Sequence, residues 1–573
     1  MKKKMLASIV ALSSMSLGIV GVSAGLSGAA VANPTVLTEE TNVGVTFTNN
    51  FNPVDTSSIS TEMALNSLSY EPLIQFDSLK AGVWYPWLAT AETFSNGGKT
   101  VTFTIRSGAK WSNGSALTAA QVAATFNTIN TVSALNVGGL PALASPATSS
   151  GQNVVLTYAT PQYSNEVALG STLIFPTSQF STAADATKTV ANTAVVGDGP
   201  FIPTSYSSTV IKYTYNKYFW GTTPYVTEVH IPYIASNQAA TEALAAHQLD
   251  WAGNDIPQIQ STYLNLDPKH NHYYYAPGST VTLWMNVGSK APDASKDCLA
   301  DANFRYAVSQ AMNRSQLSSI GETGYEPPAT SDSGLMPSQA AYQGTYKNDY
   351  GNLMGWTSAH VSSFLTSKGY VMGNDGYFKV GAGAASATGL TVGTECFFVV
   401  QDPSAYSDYA EDSQLIAATL QSDGIHADAM GVTTGEWYGN YLSGNFDAMV
   451  HWGNGGTNPY TQFQNWLDDS ALSNGVDSSA DYGAYQNASA QTLLSNLAAN
   501  AVGTAGFQTA VTALSAIMAT QVPEAPILYG ADWDVYSTAR FDGWVTPTNQ
   551  YGYPGPGQVD LPMILTKLVK AKA

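Results

Sequence analysis

The chain has 573 residues, of which 22 are Lys or Arg and 41 are Asp or Glu, so charged residues make up 11% of it and the net charge is −19. Since 44% of the residues are hydrophobic, the chain can bury a core, which excludes wholesale disorder and predicts two or three domains. The negative balance argues against a nucleic-acid binder, because binding to phosphates requires clustered lysines and arginines.

The first 32 residues have the pattern of an export signal. Three lysines at positions 2–4 precede an apolar run at 5–22, and small residues follow, ending in A-V-A at 30–32. This pattern predicts a cleaved signal peptide and a mature chain that begins near Asn33. No later stretch reaches the roughly 20 apolar residues of a membrane span, so we expect a periplasmic or extracellular protein. No cysteine lies in or just after the signal, so we expect no lipid anchor.

Alternating patterns then predict strands and helices in turn. Residues 99–106 alternate apolar and polar side chains, which predicts a strand. Thr118 and Gln121 have the spacing of a capping box, which predicts a helix that buries Val122, Phe126 and Ile129. Further strands are predicted at 210–215 and 226–234, and a helix at 238–247.

The second half of the chain repeats this alternation. Asp301 can cap a helix in which Phe304, Ala307, Val308, Ala311 and Met312 form one apolar face. A second helix is predicted at 411–422, ending before Gly424, and a strand at 425–429. Together these patterns predict mixed α/β domains.

Cys298 and Cys396 are the two cysteines of the chain. An oxidising compartment would permit a disulfide between them. Free cysteine is also a common core residue, so separate burial is an equal alternative at this point.

A search for catalytic chemistry finds little. There is no P-loop, H-E-x-x-H, calcium loop or C-x-x-C motif, and the G-x-S-x-G match at 21–25 falls inside the predicted signal. His270 and His272 are a close pair that would share one face of a strand, which a metal chelate could use, but a polar surface turn is the favoured interpretation, because no third ligand is indicated nearby. We therefore predict no catalytic residues, no metal site and no cofactor.

More specific information comes from a series of ordered motifs. They are Y-E-P-L-I-Q-F-D at 70–77, W-L-A at 87–89, T-F-T-I-R-S-G-A-K-W-S-N-G at 102–114, L-T-A-A-Q-V at 117–122, G-D-G-P-F at 197–201, N-K-Y-F-W-G at 216–221, A-L and L-D-W-A within 243–252, F-R-Y-A-V and M-N-R within 304–314, and G-N-F-D at 444–447. This series closely resembles the family 5 extracellular solute-binding proteins, the oligopeptide- and dipeptide-type receptors of ABC importers.

The resemblance implies an α/β fold of the two-lobed, class II periplasmic-binding-protein type with an extra inserted domain. Lobe I would comprise 33–77, 197–283 and 520–573, the inserted domain II would comprise 78–196, and lobe III would comprise 284–519. It also implies a monomeric receptor that closes on a small ligand and delivers it to the permease and ATPase subunits of an importer.

Segments that line the pocket in this family carry over to six residues, Trp251, Asn254, Trp284, Asn286, Trp452 and Asn454. We expect Trp251 and Trp452 to be the leading candidates, because an indole at a cleft can stack on a peptide side chain or a sugar ring. Burial of either ring in a lobe core is the alternative.

The segment at 451–459 departs from the family pattern. Peptide-binding members place an aspartate there that pairs with the free amino group of the ligand, whereas this segment has no carboxylate. Asn454 and Asn458 can accept hydrogen bonds but bring no charge. A peptide remains the leading ligand, with a capped peptide or an oligosaccharide as the alternative and a secreted hydrolase as the competing class of protein.

Overall fold

The computed structural model describes residues 35–292, 298–346, 355–404, 406–477, 481–557 and 559–572. The predicted signal peptide at 1–32 and the predicted start near Asn33 lie outside these residues. Within the described ranges, no helix has the length and apolar character needed to cross a membrane.

Twenty-two strands lie in the described part of the chain. They are β1 Val36–Glu40, β2 Ile74–Phe76, β3 Trp84–Pro86, β4 Ala89–Ser95, β5 Thr100–Ile105, β6 Leu143–Ser150, β7 Asn153–Tyr158, β8 Phe201–Tyr206, β9 Val210–Tyr215, β10 Glu228–Pro232, β11 Trp251–Ala252, β12 Asn271–Tyr273, β13 Ala276–Met285, β14 Tyr370–Met372, β15 Phe378–Val380, β16 Phe397–Pro403, β17 His426–Val432, β18 Ala448–Trp452, β19 Glu524–Asp532, β20 Val535–Ser537, β21 Phe541–Asp542 and β22 Val569–Lys570.

Sixteen α-helices lie in the same ranges. They are α1 Ile59–Glu62, α2 Asn66–Ser69, α3 Ala119–Thr131, α4 Glu166–Gly170, α5 Asn237–Ala245, α6 Ile259–Thr262, α7 Ala302–Ala311, α8 Arg314–Gln316, α9 Ser358–Ser367, α10 Ala382–Thr388, α11 Ser407–Ser422, α12 Thr434–Ser443, α13 Tyr460–Leu467, α14 Ala488–Ala498, α15 Ala505–Gln521 and α16 Leu561–Lys567.

The elements predicted from sequence are confirmed, with shifts at their ends. Helix α3 starts after Thr118, whose backbone N–H donates to Gln121 Oε1 at 3.0 Å, so the predicted capping box is present. Asp301 caps α7 and accepts a hydrogen bond from the backbone N–H of Asn303. Helix α11 begins four residues earlier than predicted, and Gly424 follows it with a φ of 81°, a conformation that favours glycine.

Three larger sheets organise the described chain. One has seven strands in the order β12-β20-β11-β1-β10-β9-β8, one has five in the order β17-β16-β18-β13-β19, and one has four in the order β4-β5-β7-β6. Parallel pairs such as β1 with β10 and β16 with β17 occur beside antiparallel ones. We call the parts built around these sheets lobe I, lobe III and the inserted domain, respectively. The predicted two-lobed α/β fold with an inserted domain is therefore confirmed.

The exact domain boundaries remain predictions. Two strands, β13 and β19, lie wholly or partly in segments predicted for lobe I but pair in the sheet of lobe III. Strand β13 continues past residue 283, where lobe I was predicted to end, and it pairs within the sheet of lobe III. Strand β19 falls in the segment 520–573, which was predicted for lobe I, yet it pairs with β13 in the same sheet.

The chain passes between lobe I and lobe III at two adjacent places. One crossing leads from β12 to β13 and the other from β19 to β20. The backbone N–H of Tyr274 in the first donates to the carbonyl of Asp534 in the second at 2.8 Å. Rings also meet there, since the centroids of Tyr275 and Trp533 lie 4.7 Å apart at 82°. The two crossings thus form one connected strip between the lobes.

The two cysteines are bonded to each other. Their Cα atoms are 5.0 Å apart, and the bond links positions 98 residues apart in sequence. Both residues are buried among apolar side chains of lobe III. Of the two alternatives left open by the sequence, the structure therefore shows the disulfide, which ties the segment before α7 to the start of β16.

Candidate functional site

A cavity of about 790 Å³ lies between lobe I and lobe III. Lobe I contributes Asp255, which follows β11, and the strip between the lobes contributes Trp533. Lobe III contributes the segment 320–325, the start of α11 and the end of β18. Because the walls belong to different lobes, any movement of one lobe relative to the other changes the size of this cavity.

Aromatic rings form much of the cavity wall. They are Tyr325, Tyr406, Tyr409, Trp452 and Trp533. Trp452 is 40% exposed, an unusual fraction for so large an apolar side chain, and its ring centroid lies 6.2 Å from that of Tyr409. Such rings can stack on a planar group, a sugar ring or a cation.

Four carboxyl groups also line the cavity, namely Asp255, Glu322, Asp408 and Glu411. The described residues that line it include no lysine, arginine or histidine. Burial, together with the neighbouring acids Glu326 and Asp412, raises the pKa of Glu322 to about 10. Burial also raises the pKa of Asp255, with Asp408 as the second cause. The cavity is therefore strongly acidic in composition.

Backbone geometry brings the acidic groups of lobe III close together. A Cβ atom at Gly321 would lie 1.9 Å from Oδ1 of Asp412, so only glycine permits this approach of the 320–325 segment to α11. Behind that segment, Glu326 Oε1 accepts a hydrogen bond from the backbone N–H of Ala531 at 2.8 Å. Asp408 lies in the first turn of α11, where the partial positive charge of a helix N-terminus favours an acid.

The six residues carried over from the family resemblance lie in different environments. Trp452 ends β18 and lines the cavity. Asn254 is buried one residue before Asp255, and its Nδ2 donates to Oδ1 of Asn237, a residue of the cavity wall. Asn454 is partly buried and is not among the residues that line the cavity.

The two other tryptophans lie in lobe cores. Trp251 is 1% exposed, and its Nε1 donates to Oδ1 of Asp534 at 2.7 Å within lobe I. Trp284 is equally buried in lobe III, where it stacks on His451 with ring centroids 3.8 Å apart and on Tyr482. Neither ring lines the cavity, and each packs in the core of its lobe.

Asn286 is held entirely by the backbone of lobe III. Its Nδ2 donates to the carbonyls of Gly444 and Phe446 at 3.0 and 2.9 Å, and its Oδ1 accepts from the N–H of Gly288. With these three bonds made, the amide connects the end of β13 to the turn before β18. Asn286 does not line the cavity.

The acidic residues of the cavity were not among those predicted from the sequence. Asp255 directly follows the predicted Asn254, and Asp408 precedes the predicted start of a helix at 411, so each lies beside a segment that had been singled out. The segment 451–459 does lack a carboxylate, but the structure supplies carboxylates to the same cavity from three other places in the chain.

The histidine pair lies away from this cavity. His270 Nδ1 is 2.8 Å from Asp267 Oδ2, and His272 Nε2 is 3.1 Å from Thr538 Oγ1. In the part of the chain that the structure describes, no group of three or more His, Cys, Asp or Glu side chains is arranged to hold a metal ion.

A second cavity, of about 400 Å³, lies between lobe I and the inserted domain. Its lining is largely apolar and includes Val54, Ile129, Leu135 and Phe175. Asp55 at its edge already accepts hydrogen bonds from Ser57 and Asn50. The cavity between lobe I and lobe III offers more polar groups that face open space, so it is the better candidate for a solute site.

Comparison with known proteins places this architecture in context. Residues 83–474 match the model of the bacterial extracellular solute-binding proteins, family 5 Middle. A curated relative, the nickel-binding periplasmic protein of Escherichia coli (strain K12), is 25% identical over 297 residues. That match covers 48% of this chain and 54% of the relative, so it spans about half the length of the relative.

Solved structures resemble the fold over nearly its whole length. The periplasmic oligopeptide-binding protein of an oligopeptide ABC transporter from Thermotoga maritima superimposes with a TM-score of 0.79 at 21% identity, covering 94% of this chain and 99% of that one. The same protein with bound mannohexaose superimposes with a TM-score of 0.70, again at 21% identity and with the same coverage of both chains.

Proposed function

The chain belongs to the bacterial extracellular solute-binding proteins of family 5, and from this membership we propose that it is an exported receptor that captures a small ligand between its lobes and delivers it to an ABC importer. The observation that carries the proposal is the cavity of about 790 Å³ between lobe I and lobe III. Its volume falls in the range of small-molecule sites, about 300–1,000 Å³.

Closure of the lobes would give such a receptor two distinguishable states. A ligand that contacts both walls stabilises the closed arrangement, and the membrane permease can then distinguish the loaded receptor from the empty one. The partners in this proposal are the permease and ATPase subunits of the importer, and the receptor acts as a monomer. The signal peptide, the mature start near Asn33 and the periplasmic or extracellular location belong to the same proposal.

A peptide is the ligand we favour, with an oligosaccharide as the alternative. The Thermotoga maritima relative supports both, since it is described as oligopeptide-binding and also has a structure with mannohexaose. For this chain, Trp452 provides a ring at the cavity, and Asn254 supports the opposite wall through Asn237. Trp251, Trp284 and Asn286 would act indirectly by fixing the lobes, and Asn454 would act from the loop that follows Trp452.

We propose a binding role without catalysis, a resident metal or a cofactor. The competing class, a secreted hydrolase, predicts turnover, so a bound peptide or oligosaccharide should be recovered intact after prolonged incubation. Recovery of cleaved products that increase with time and enzyme concentration would favour the hydrolase.

Ligand identification tests the receptor proposal directly. The protein should be purified from its native host, and any small molecule that co-purifies should be released and identified by mass spectrometry. Peptide and oligosaccharide libraries should then be screened by thermal shift and tryptophan fluorescence. A ligand at 100 times its Kd stabilises the folded state by about 2.7 kcal/mol, which is readily detected. If no compound co-purifies and none of the library stabilises the protein, the proposal fails.

A further inference from the structure

We propose that His451 is a positioning residue of the site, which fixes the orientation of the Trp452 ring that faces the cavity between the lobes. The inference rests on the proposed receptor function and adds to the site a residue that does not itself line the cavity. It makes the surface that a solute meets depend on a column of rings inside lobe III.

The column consists of four stacked rings, and His451 lies within it. The ring centroid of His451 is 3.8 Å from that of Trp284 at 13° and 4.8 Å from that of Trp437 at 14°, so the imidazole lies between two nearly parallel indoles. Tyr482 extends the column by stacking on Trp284 at 4.9 Å. Tyr441 meets His451 edge-on at 5.2 Å. Neighbours on both faces and at one edge therefore hold the imidazole in place.

Hydrogen bonding also directs the imidazole towards Trp452. Because a carbonyl oxygen can only accept, Nδ1 of His451 carries the proton and donates to the carbonyl of Trp452 at 2.5 Å. Nε2 is buried and makes no hydrogen bond within the described part of the chain. Burial lowers the pKa of His451 to about 4, so near pH 7 it stacks as an uncharged ring. Stacking and one hydrogen bond thus connect the column to the residue that faces the cavity.

The indole of Trp452 packs against this column. Its centroid lies 4.4 Å from that of His451 and 5.4 Å from that of Trp437. The backbone is held independently, because Trp452 pairs with β13 in the sheet and the N–H of Gly453 donates to the carbonyl of Thr280 at 2.6 Å. With the backbone held, two side-chain torsions decide where the ring points, and the contacts with the column restrict them.

A ring held in advance should favour binding. A side chain that already has its bound orientation does not have to be immobilised by the ligand, which lowers the entropic cost of binding. Trp452 is still 40% exposed, so the held ring presents a face to a solute. Removal of the imidazole should free the ring and weaken binding about fivefold.

Fluorine NMR tests the position of the ring without a ligand. The protein is labelled with 5-fluorotryptophan, and the Trp452 line is identified by its absence in Trp452→Phe. This line should be narrow in the unmodified protein and in His451→Phe, which keeps a ring in the column, and it should broaden or split in His451→Ala. His426→Ala is the matched control, because His426 also stacks on a ring of lobe III, Tyr377 at 4.1 Å, but does not line the cavity. An unchanged line for Trp251 in lobe I shows that a variant is folded.

Titration calorimetry then measures the effect on binding. Mannohexaose and tri-alanine are the probes, one from each proposed class of ligand. His451→Ala should weaken the probe that binds about fivefold, and His451→Phe should restore its affinity to within about twofold of the unmodified protein. His426→Ala should bind as the unmodified protein does. In a Trp452→Ala background, His451→Ala should change affinity less than about twofold, because a residue that acts through the Trp452 ring has no effect once that ring is absent.

The two proposals fail separately. A Trp452 line that stays as narrow in His451→Ala as in the unmodified protein overturns the positioning role and leaves the receptor function standing. An equal loss of affinity from His451→Ala with and without the Trp452 ring has the same meaning. If neither probe binds the unmodified protein, the fluorine spectra alone decide the positioning role, while the search for a co-purified ligand decides the receptor function.

Discussion

Trp251 donates a hydrogen bond from its indole Nε1 to Oδ1 of Asp534 across 2.7 Å, in the buried core of lobe I. The indole also meets the ring of Trp544 edge-on at 5.3 Å. Burial raises the pKa of Asp534 to about 8, although the bond from Trp251 opposes that shift. The two residues therefore stabilise each other inside the lobe.

Replacing Trp251 by phenylalanine tests this structural role. Trp251→Phe removes the donor and leaves a buried carboxyl oxygen unsatisfied, so the free energy of unfolding should fall by about 1–3 kcal/mol. Ligand affinity, measured by titration at a temperature where the variant is fully folded, should change less than twofold. A tenfold loss of affinity with unchanged stability would instead place this indole in the ligand site.

Replacement of Trp452 should lower ligand affinity, in contrast to replacement of Trp251, which should lower stability. Since its ring is partly exposed and lines the cavity, Trp452→Ala should weaken ligand binding about tenfold, or about 1.4 kcal/mol. The fluorescence change that accompanies binding should also shrink. Trp251→Phe is the matched control for loss of an indole. Unchanged affinity in Trp452→Ala would exclude a direct contact with the ligand.

The disulfide should contribute substantially to the stability of lobe III. It links Cys298 and Cys396, which are 98 residues apart and 1% exposed. The double variant Cys298→Ala and Cys396→Ala should lose about 2–5 kcal/mol of unfolding free energy, because its unfolded state is less constrained. Denaturant titration measures this loss.

Because both sulfurs are buried, dithiothreitol should reduce the bond slowly in the folded protein and rapidly in denaturant. Fast reduction without denaturant would contradict the burial.

Stability should fall as the pH rises from about 4 to 8. Burial raises the pKa of Glu39 to about 8, of Glu40 to about 7 and of Asp560 to about 7. The folded state therefore holds protons that the unfolded chain releases near pH 4 to 4.5, and this stabilisation is complete below that pH and is lost up to pH 7–8. Each 1 kcal/mol lost lowers the melting temperature by about 2–4 °C in a domain of 150–250 residues.

The variant Glu39→Gln tests the assignment of that pH dependence. It should raise the melting temperature at pH 8 relative to the unmodified protein and change it little at pH 4. Glu62→Gln, on an exposed side chain, is the control and should follow the unmodified protein at both pH values. A melting temperature that rises steadily from pH 4 to pH 8 would show that the buried carboxyls do not govern stability.

Local patterns allowed much of the secondary structure to be predicted. The capping box of Thr118 and Gln121 involves neighbours in sequence, and so does the apolar face of α7. The start of α11 was missed because its first turn contains Asp408 and the buried Tyr409, and the environment of Tyr409 includes Glu322 and Glu326 from a distant part of the sequence. The pairing of β13 with β19 joins residues about 240 positions apart, which no local spacing indicates.

The residues of the site could be predicted only in part, because their environments depend on contacts between residues that are far apart in sequence. Trp251 and Trp452 are both tryptophans to which the family's pocket-lining segments carry over, yet Asp534, 283 residues away from Trp251, gives the first a buried partner, while the second faces the cavity. Asp255, Glu322 and Asp408 come from three separate stretches. Their common environment arises only when the two lobes fold against each other.

The two crossings between β12 and β13 and between β19 and β20 also have a mechanical meaning. Because they run side by side and are joined by the bond from Tyr274 to Asp534, any rotation of one lobe relative to the other has to bend both crossings together. Trp533 lies in the second crossing and also on the cavity wall, so such bending would also change the shape of the cavity.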